Sequence, residues 1–359
     1  MNWWQRILHT PFFIRLFHWE YWSFHAVYLW VYPVWIFLCA RSRSFFFFSA
    51  SNPSIENGGF LMESKKKIYD ILPSAFYPKT ILVTPSESNQ QIAERVNVAG
   101  FSYPLIAKPD VGGKGRGVKK IASEKELLEY LKRFPFDMLV QDLIPYEEEI
   151  GIFYFRYPHE LKGKISGIVG KSFLTVKGDG QSTIEELLKK EKRYILQLPA
   201  LIELLGDQMQ TILPSGELRL LVPYGNHARG ALFVDNTDWV DQELEEAIDA
   251  ICQQIPGFYF GRLDVRYRSL ELLKQGKDFS LIEVNGAGSE PTHMYDPRNS
   301  LFRAWKEIVK HWIILWRVSR ENNRKGVPYM SRKEGIKMFR EAREYDRLIE
   351  KVESMGNRQ

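Results

Sequence analysis

Two short stretches, Gly261-Arg262-Leu263-Asp264 and Glu283-Val284-Asn285, constrain this chain more than any other part of it. Both alternate apolar with polar residues, the period of a half-buried strand, and together they read as a hairpin. Arg262 and Asp264 are expected on one face of the first strand, and Glu283 and Asn285 on one face of the second. Leu263, Ile282 and Val284 then point the other way. A sheet face that gathers two carboxylates, an amide and a guanidinium is costly to desolvate unless something charged sits there. Hard oxygen donors of this kind suit Mg²⁺, which is held by one or two carboxylates together with phosphate oxygens. The bland alternative, a surface hairpin with solvated polar residues, leaves the apolar neighbours and the match between the strands unexplained.

A second cluster lies upstream. Tyr103 to Pro109 reads as a strand, and Lys108 near its end would project a cation past the sheet edge. The run Gly112-Gly113-Lys114-Gly115-Arg116-Gly117 follows at once. Glycines at this spacing let backbone N–H groups approach a polyphosphate, while Lys114 and Arg116 add charge. Taken alone, such a loop is equally the tip of a flexible hairpin. Because a strand, Val118 to Ile121, follows it, the loop is neither a Walker A motif nor a dinucleotide fingerprint, both of which open a helix. Strand lysine, glycine hairpin and a later Asp…Glu-x-Asn set are together far more specific than any one of them.

The rest of the chain frames these clusters. Helices are expected over 62–72, 88–99, 123–133, 182–192, 243–254, 301–317 and 331–352, with Ser123 and Ser182 as caps and Glu126 completing a capping box. Further strands are expected over 80–84, 139–143, 149–157 and 163–176, and 321–328 reads as a polar linker. Strands and helices mixed in this order point to an α+β body with antiparallel hairpins, not a doubly wound parallel sheet. The formal charge of +5 over 359 residues is small and dispersed, so it does not favour a nucleic-acid partner. Cys39 and Cys252 are the only cysteines, which excludes a disulfide framework or a cysteine-based zinc site and fits a reducing compartment.

The first fifty residues concentrate Trp, Tyr and Phe and contain almost no acid. Trp19 to Ala40 is long enough to be considered a membrane span, but Glu20, His25 and Pro33 interrupt it, and Trp and Tyr belong to the headgroup region. It runs into Arg41-Ser42-Arg43 and Phe45 to Phe48, unlike a secretory signal. The expectation is a segment in the membrane interface, with Arg6, Arg15, Arg41 and Arg43 near lipid phosphates and the body on the cytoplasmic side. The alternative is an aromatic subdomain packed on the core.

In order and rough spacing, Ala107-Lys108-Pro109, Gly112 to Val118, Val140-Gln141-Asp142-Leu143-Ile144, Gly261 to Val265 and Ile282 to Asn285 resemble the ATP-grasp superfamily. The resemblance covers roughly residues 60 to 300 and is closest in look to D-alanine:D-alanine ligases and the ATP-grasp part of cyanophycin synthetases. It implies an ATP-grasp fold, two α+β lobes holding ATP between them, with 101–145 as the small lobe and 146–318 as the large one. Before these come the aromatic segment 1–50 and an N-terminal α/β part, 51–100; after them, 319–359 holds a linker and a charged helix. It implies that Lys108 contacts the nucleotide phosphates and that Gly112, Gly113, Lys114, Gly115, Arg116 and Gly117 close over them. Gln141 and Ile144 would line the adenine pocket and Glu149 would bind the ribose. Asp264, Glu283 and Asn285 would hold one or two Mg²⁺, or Mn²⁺, and Arg262 would face the oxyanion of the reacting carboxyl as the catalytic group. Lys65 or Lys66 matches a second phosphate-binding lysine. The implied reaction is ADP-forming: ATP phosphorylates a carboxylate to an acyl phosphate, which an amine or another nucleophile attacks.

Two departures bear on the substrate. The full N-terminal α/β domain of a D-alanine:D-alanine ligase is replaced by the aromatic segment and the loop 52–63, and 218–234, with Asn226, His227 and Arg229, differs from the family's usual substrate loop. A carboxylate–nucleophile ligase is therefore expected, with a D-alanine:D-alanine ligase proper and a non-catalytic ATP-binding regulatory module at a membrane as alternatives. His293 would line the acceptor pocket or serve packing.

Overall fold

The structure is a computed structural model that describes residues 10, 13, 14, 18–113, 115–172, 174–222 and 232–356. Lys114, Asn226, His227, Arg229, Arg6 and Arg15 lie outside the described residues. In chain order come helices α1 (Phe24–Tyr28), α2 (Tyr32–Ser42) and α3 (Lys65–Asp70), strand β1 (Thr80–Val83), α4 (Asn89–Val98), β2 (Leu105–Pro109), β3 (Lys119–Ile121) and α5 (Glu124–Leu131). Strands β4 (Met138–Asp142), β5 (Glu148–Phe155), β6 (Lys164–Ser172) and β7 (Leu174–Lys177) follow, then α6 (Ile184–Lys190), α7 (Lys192–Ile195), α8 (Leu198–Leu205), β8 (Leu218–Val222) and β9 (Leu232–Asp235). The chain ends with α9 (Gln242–Gln253), β10 (Phe260–Tyr267), α10 (Leu270–Lys274), β11 (Phe279–Asn285) and the long helices α11 (Leu301–Arg324) and α12 (Arg332–Gly356). The class is α+β, and the strand pairs of known register are antiparallel.

Local chemistry sets the element ends. The Ser88 hydroxyl and Gln91 form a full capping box on α4. On α5 the expected box is only half made: Ser123 caps the N–H of Glu126, but the Glu126 carboxylate accepts from Ala122 instead of the cap residue. Helix α6 is capped by Thr183 with Glu186, one residue after the expected Ser182, whose hydroxyl donates to Asp179. Helix α11 runs on to Arg324, through the start of the stretch expected as a linker. The reason is Asn322, which turns inward and donates to the carbonyls of Ala50 and Ser51 at 2.9 and 3.1 Å.

The chain divides into two compact units. One comprises 1–33, 169–238 and 292–309. Within it the end of β6 pairs with β9 and β7 with β8, over a core that includes Leu174, Ile184, Leu188 and Leu213. There Asp296 accepts the Asp235 N–H at 2.7 Å and pairs with Arg298. His293 lies in this unit, 3.6 Å from Glu307.

The other unit comprises 34–168, 239–291 and 310–359 and contains every described residue of the expected nucleotide, metal and catalytic set. One of its sheets has the order β1-β4-β2-β3, so 80–83 belongs to the same sheet as 105–142. Helices α4 and α5 cover it through Ile92, Val96, Leu127 and Leu131. A second sheet runs β11-β10-β5-β6, and α9 packs Leu244, Ile248 and Ile251 against Ile152, Leu263 and Val265. A third cluster joins Leu38, Phe47 and Phe48 to Phe260, Leu315 and Val318. Each of these large apolar side chains contributes roughly 1.5–3 kcal/mol by burial, so the part of the aromatic segment from residue 34 onward is built into this unit.

The candidate span from Trp19 to Ala40 is broken into a turn of 3₁₀ helix at Trp19–Tyr21, α1 and α2. Helix α2 has 11 residues, and at about 1.5 Å per residue it falls far short of a hydrocarbon core roughly 30 Å thick. No helix among the described residues is long and apolar enough to cross a membrane.

Candidate active site

The hairpin pairs Arg262 with Asn285 and Asp264 with Glu283, placing the four polar side chains together. Asp264 is only 3% exposed. Its Oδ2 accepts from Arg262 Nη2 at 2.9 Å and from the Asn285 amide at 3.0 Å. Burial works against the charge on Arg262, but Asp264 beside it, with Glu283 and Glu290 behind, raises its guanidinium above the usual value.

The expected alternation fails at one residue. After Asp264 opposite Glu283, the next pair is Val265 opposite Leu281, so Ile282 is the extra residue of a β-bulge. Leu281 enters the core in place of Ile282, which stays half-buried beside Glu283. Two groups donate to the Ile282 carbonyl at this bulge. Lys108 Nζ donates to it at 3.2 Å and to the Tyr69 hydroxyl at 3.0 Å, while that hydroxyl also donates to the same carbonyl. Lys108 thus reaches from β2 of the small sheet to β11 of the other. Desolvation brings its ammonium down from 10.5 to about 8, against the opposing pull of Glu283 and Asp110. Burial pushes the Tyr69 hydroxyl up.

Helix α3 delivers a second cation. Lys65 Nζ lies 3.3 Å from Glu283 Oε1 and also donates to the Gly112 carbonyl. Asp110 fixes the start of this helix by accepting the Lys66 N–H on its carboxylate at 2.7 Å and the Lys65 N–H on its carbonyl at 3.1 Å. Of the two candidates, Lys65 faces the site, whereas Lys66 pairs with Asp70. Two further residues belong to this constellation. Tyr69 bridges Lys108 to the bulge, and Glu63 carries a buried carboxyl whose Oε2 has no hydrogen-bond partner. Burial raises Glu63, as do Glu283 and Glu56, against its own backbone and Lys65. Tyr69 and Glu63 stand more than two hundred residues before Glu283 in the sequence, in a stretch whose only local signal is that of a connector and a short helix.

The glycine loop lies between β2 and β3. Gly117 has φ +65°, and a Cβ there would stand 2.8 Å from Pro109 Cγ, so no larger residue fits without displacement. Helix α12, expected only as a charged helix for loose packing or association, holds this loop. Arg116 pairs with Asp346 and lies 3.4 Å from Glu350, and the Gly117 N–H donates to Glu353 Oε1 at 2.9 Å. Tyr345 packs against Phe136 with tilted rings whose centroids are 4.8 Å apart, and its own burial raises its hydroxyl. Arg116, one of the two loop cations that the sequence assigns to a polyphosphate, and the Gly117 N–H are therefore engaged by carboxylates.

A cavity of about 550 Å³ opens beside the connector from β4 to β5, lined by Lys79, Asp142, Ile144, Tyr146 and Phe279 among others. Ile144 faces it. Gln141 instead is buried within the small sheet and donates to Thr80 Oγ1 at 2.7 Å, and Glu149 lies 3.5 Å from Arg266 across the β5–β10 ladder.

Among the described residues, no group of three or more His, Cys, Asp and Glu side chains is placed to hold a metal ion. The expected set is of another kind, two carboxylates and an amide. Its chemistry fits Mg²⁺, which needs few protein oxygens when phosphates complete its shell. Glu63 adds a buried carboxyl oxygen without a partner nearby. A half-turn of the Asn285 amide, whose NH₂ now faces Asp264, presents its oxygen instead.

No family model and no curated protein matches the chain. Solved structures do, at low identity. A bifunctional glutathione synthetase from Pasteurella multocida is 16% identical with a TM-score of 0.42, covering 68% of this chain and 36% of that one. The D-alanine–D-alanine ligase of Bacillus anthracis is 15% identical with a TM-score of 0.40, covering 73% of this chain and 69% of that one. The D-alanine–D-alanine ligase of Coxiella burnetii is 12% identical, also at 0.40, covering 73% and 58%. The chain thus spans little more than a third of the first of these proteins.

Proposed function

We propose that this chain is an ATP-dependent carboxylate ligase of the ATP-grasp type, in which ATP and a carboxylate give an acyl phosphate that an amine or another nucleophile then attacks. The observation that carries the reading is the meeting of two cations from the small-sheet side, Lys108 and Lys65, with Ile282 and Glu283 on the bulged strand β11. One buried and one half-buried cation, gathered beside the Glu283 carboxylate and the glycine loop, form a place for a polyphosphate and its counter-ion. Phosphoryl transfer asks for positioning and charge neutralisation more than for a protein nucleophile.

In this reading Lys108 and Lys65 hold the phosphates and the loop from Gly112 to Gly117 covers them. Asp264, Glu283 and Asn285 hold Mg²⁺, which when bound supplies charge neutralisation across the phosphates. Arg262, held by Asp264 and lying 5.9 Å from the Phe153 ring centroid, would stabilise the developing oxyanion of the substrate carboxyl. The test is ADP release by the full chain with Mg²⁺ against a panel of carboxylates paired with amines and other nucleophiles. Turnover that survives Glu283→Gln unchanged would remove Glu283 from the metal site, and absence of ADP release across the panel together with absence of nucleotide binding would end the reading.

A further inference from the structure

Away from the nucleotide site, the C-terminal half of α11 and the turn after β5 enclose a second cavity, lined by Tyr157, His159, Trp316, Arg317, Arg320 and Arg324 among others. The turn is tied to the helix at two points. Lys325 donates to the Pro158 carbonyl, and His159 Nδ1 lies 2.7 Å from Glu321 Oε2. The Tyr157 and His159 rings stack with centroids 6.0 Å apart and planes 11° from parallel. The facing wall is fixed as well, since Trp316 Nε1 donates to Ser42 Oγ at 2.9 Å.

Arg317, Arg320 and Arg324 stand at i, i+3 and i+7, on the side of α11 opposite the buried Val318, Ser319 and Asn322. Arg320 lies over the Trp316 ring at 5.1 Å, which holds its guanidinium in place. None of the three forms an ion pair with a described residue, whereas Arg116, Arg262, Arg298 and Arg303 each pair with an acid. Glu321, four residues after Arg317 and so spaced to pair with it, is taken by His159 instead. Glu160 is then the one other carboxylate among the described lining residues, against three guanidiniums. A helix end attracts basic residues by itself, because its last carbonyls are partly negative. That explains Arg324, the last residue of α11, and reaches Arg320 one turn earlier. It does not reach Arg317, nor does it explain an aromatic wall and a turn pinned across the cavity.

We propose that this cavity binds a small soluble ligand carrying two or more oxyanion groups, of the kind a short chain of phosphates presents. Guanidiniums are planar forks that match phosphate and carboxylate oxygens two at a time, which lysines at these positions would not do. Arg317 and Arg324 stand about 10 Å apart along the helix axis, farther than one phosphate reaches, so a ligand that engages both needs at least two such groups. The cavity volume of about 420 Å³ is that of a small-molecule site, for which roughly 300–1,000 Å³ is usual. The inference is independent of the proposed ligase activity.

Calorimetric titration of the full chain tests it, with inorganic phosphate, tripolyphosphate and vesicles of phosphatidylcholine containing phosphatidic acid as separate titrants. Because a polyphosphate would also enter the nucleotide site, the titrations are run in the unaltered protein and in Lys108→Met, each with and without Arg317→Ala and Arg324→Ala. Both arginines are exposed, so their replacement should leave circular dichroism unchanged. Tripolyphosphate is expected to bind about tenfold or more tighter than phosphate and to keep a binding component in Lys108→Met. Replacing the two arginines in that background should weaken the component by about a hundredfold, about tenfold for each. Tripolyphosphate binding that vanishes with Lys108→Met, or that is unchanged by replacing the arginines, would overturn the proposal. So would equal affinity for phosphate and tripolyphosphate, absence of binding by any titrant, or binding confined to the vesicles.

Discussion

Replacing Lys108 by methionine is expected to stabilise the free protein near neutral pH while weakening nucleotide binding. Lys108 is 6% exposed, and desolvation brings its ammonium from 10.5 to about 8 although Glu283 and Asp110 pull the other way. At about 1.4 kcal/mol for each unit, holding that proton below pH 8 costs the folded state roughly 3 kcal/mol relative to the unfolded chain. Methionine keeps most of the apolar stem and carries no charge. It gives up the hydrogen bonds to the Tyr69 hydroxyl and the Ile282 carbonyl, at about 1 kcal/mol each. Because the Tyr69 hydroxyl itself donates to the Ile282 carbonyl, those two groups keep each other as partners. The variant should therefore gain between about 1 and 3 kcal/mol in urea unfolding near pH 7. The sign with pH follows from the depressed value: between about 8 and 10.5 the unfolded chain binds the proton and the folded one does not. The unaltered protein gains stability as pH rises through that window, so the advantage of Lys108→Met shrinks there. A variant less stable near pH 7, or an advantage that does not change across the window, would refute the desolvation argument. In the same variant, loss of a charge-assisted phosphate contact should weaken nucleotide binding about 10- to 150-fold by calorimetry.

Nucleotide binding to the unaltered protein should take up a proton at Lys108 just above pH 8, since a phosphate beside it raises the depressed value; the binding enthalpy then varies with the ionisation enthalpy of the buffer, and no variation would count against the contact. Asp346→Asn with Glu350→Gln should free Arg116 and tighten nucleotide binding severalfold, while unfolding shifts by less than about 1 kcal/mol because both acids are exposed. Gly117→Ala, at φ +65° and 2.8 Å from Pro109 Cγ, should cost about 1–3 kcal/mol in thermal or urea unfolding. Asn52→Ala should cost about 3–5 kcal/mol, because this buried amide donates to the carbonyls of Gly58 and Phe260 and accepts from the N–H groups of Tyr259 and Phe260.

The hairpin carrying Arg262, Asp264, Glu283 and Asn285 is legible in the sequence because a period of two, with apolar residues between, admits one arrangement in which all four polar side chains meet. The α+β class and most helix starts are legible for a similar reason, since caps such as Ser88 and Ser123 act over three residues. The bulge at Ile282 is not legible: alternation assigns faces in turn and contains nothing that marks one residue as extra. Yet the bulge decides the site, because it takes Ile282 out of the core and turns its carbonyl toward Lys108 and Tyr69.

The same limit applies to helix α12 and governs how the glycine loop should be understood. Read from the sequence, Arg116 and the glycines are poised for phosphate, and the carboxylates of α12 are solvent-facing charge on a helix whose packing is expected to be loose. Contacts between positions more than two hundred residues apart turn these into one device, in which Asp346, Glu350 and Glu353 stand where negative charge is wanted. If the loop receives an anion, as proposed, its donors need another partner while the ligand is away, and the carboxylates of α12 are such partners. Under the proposed ligase reading, nucleotide affinity would reflect a competition between phosphate oxygens and three side-chain carboxylates, and would depend on the helix as much as on the loop.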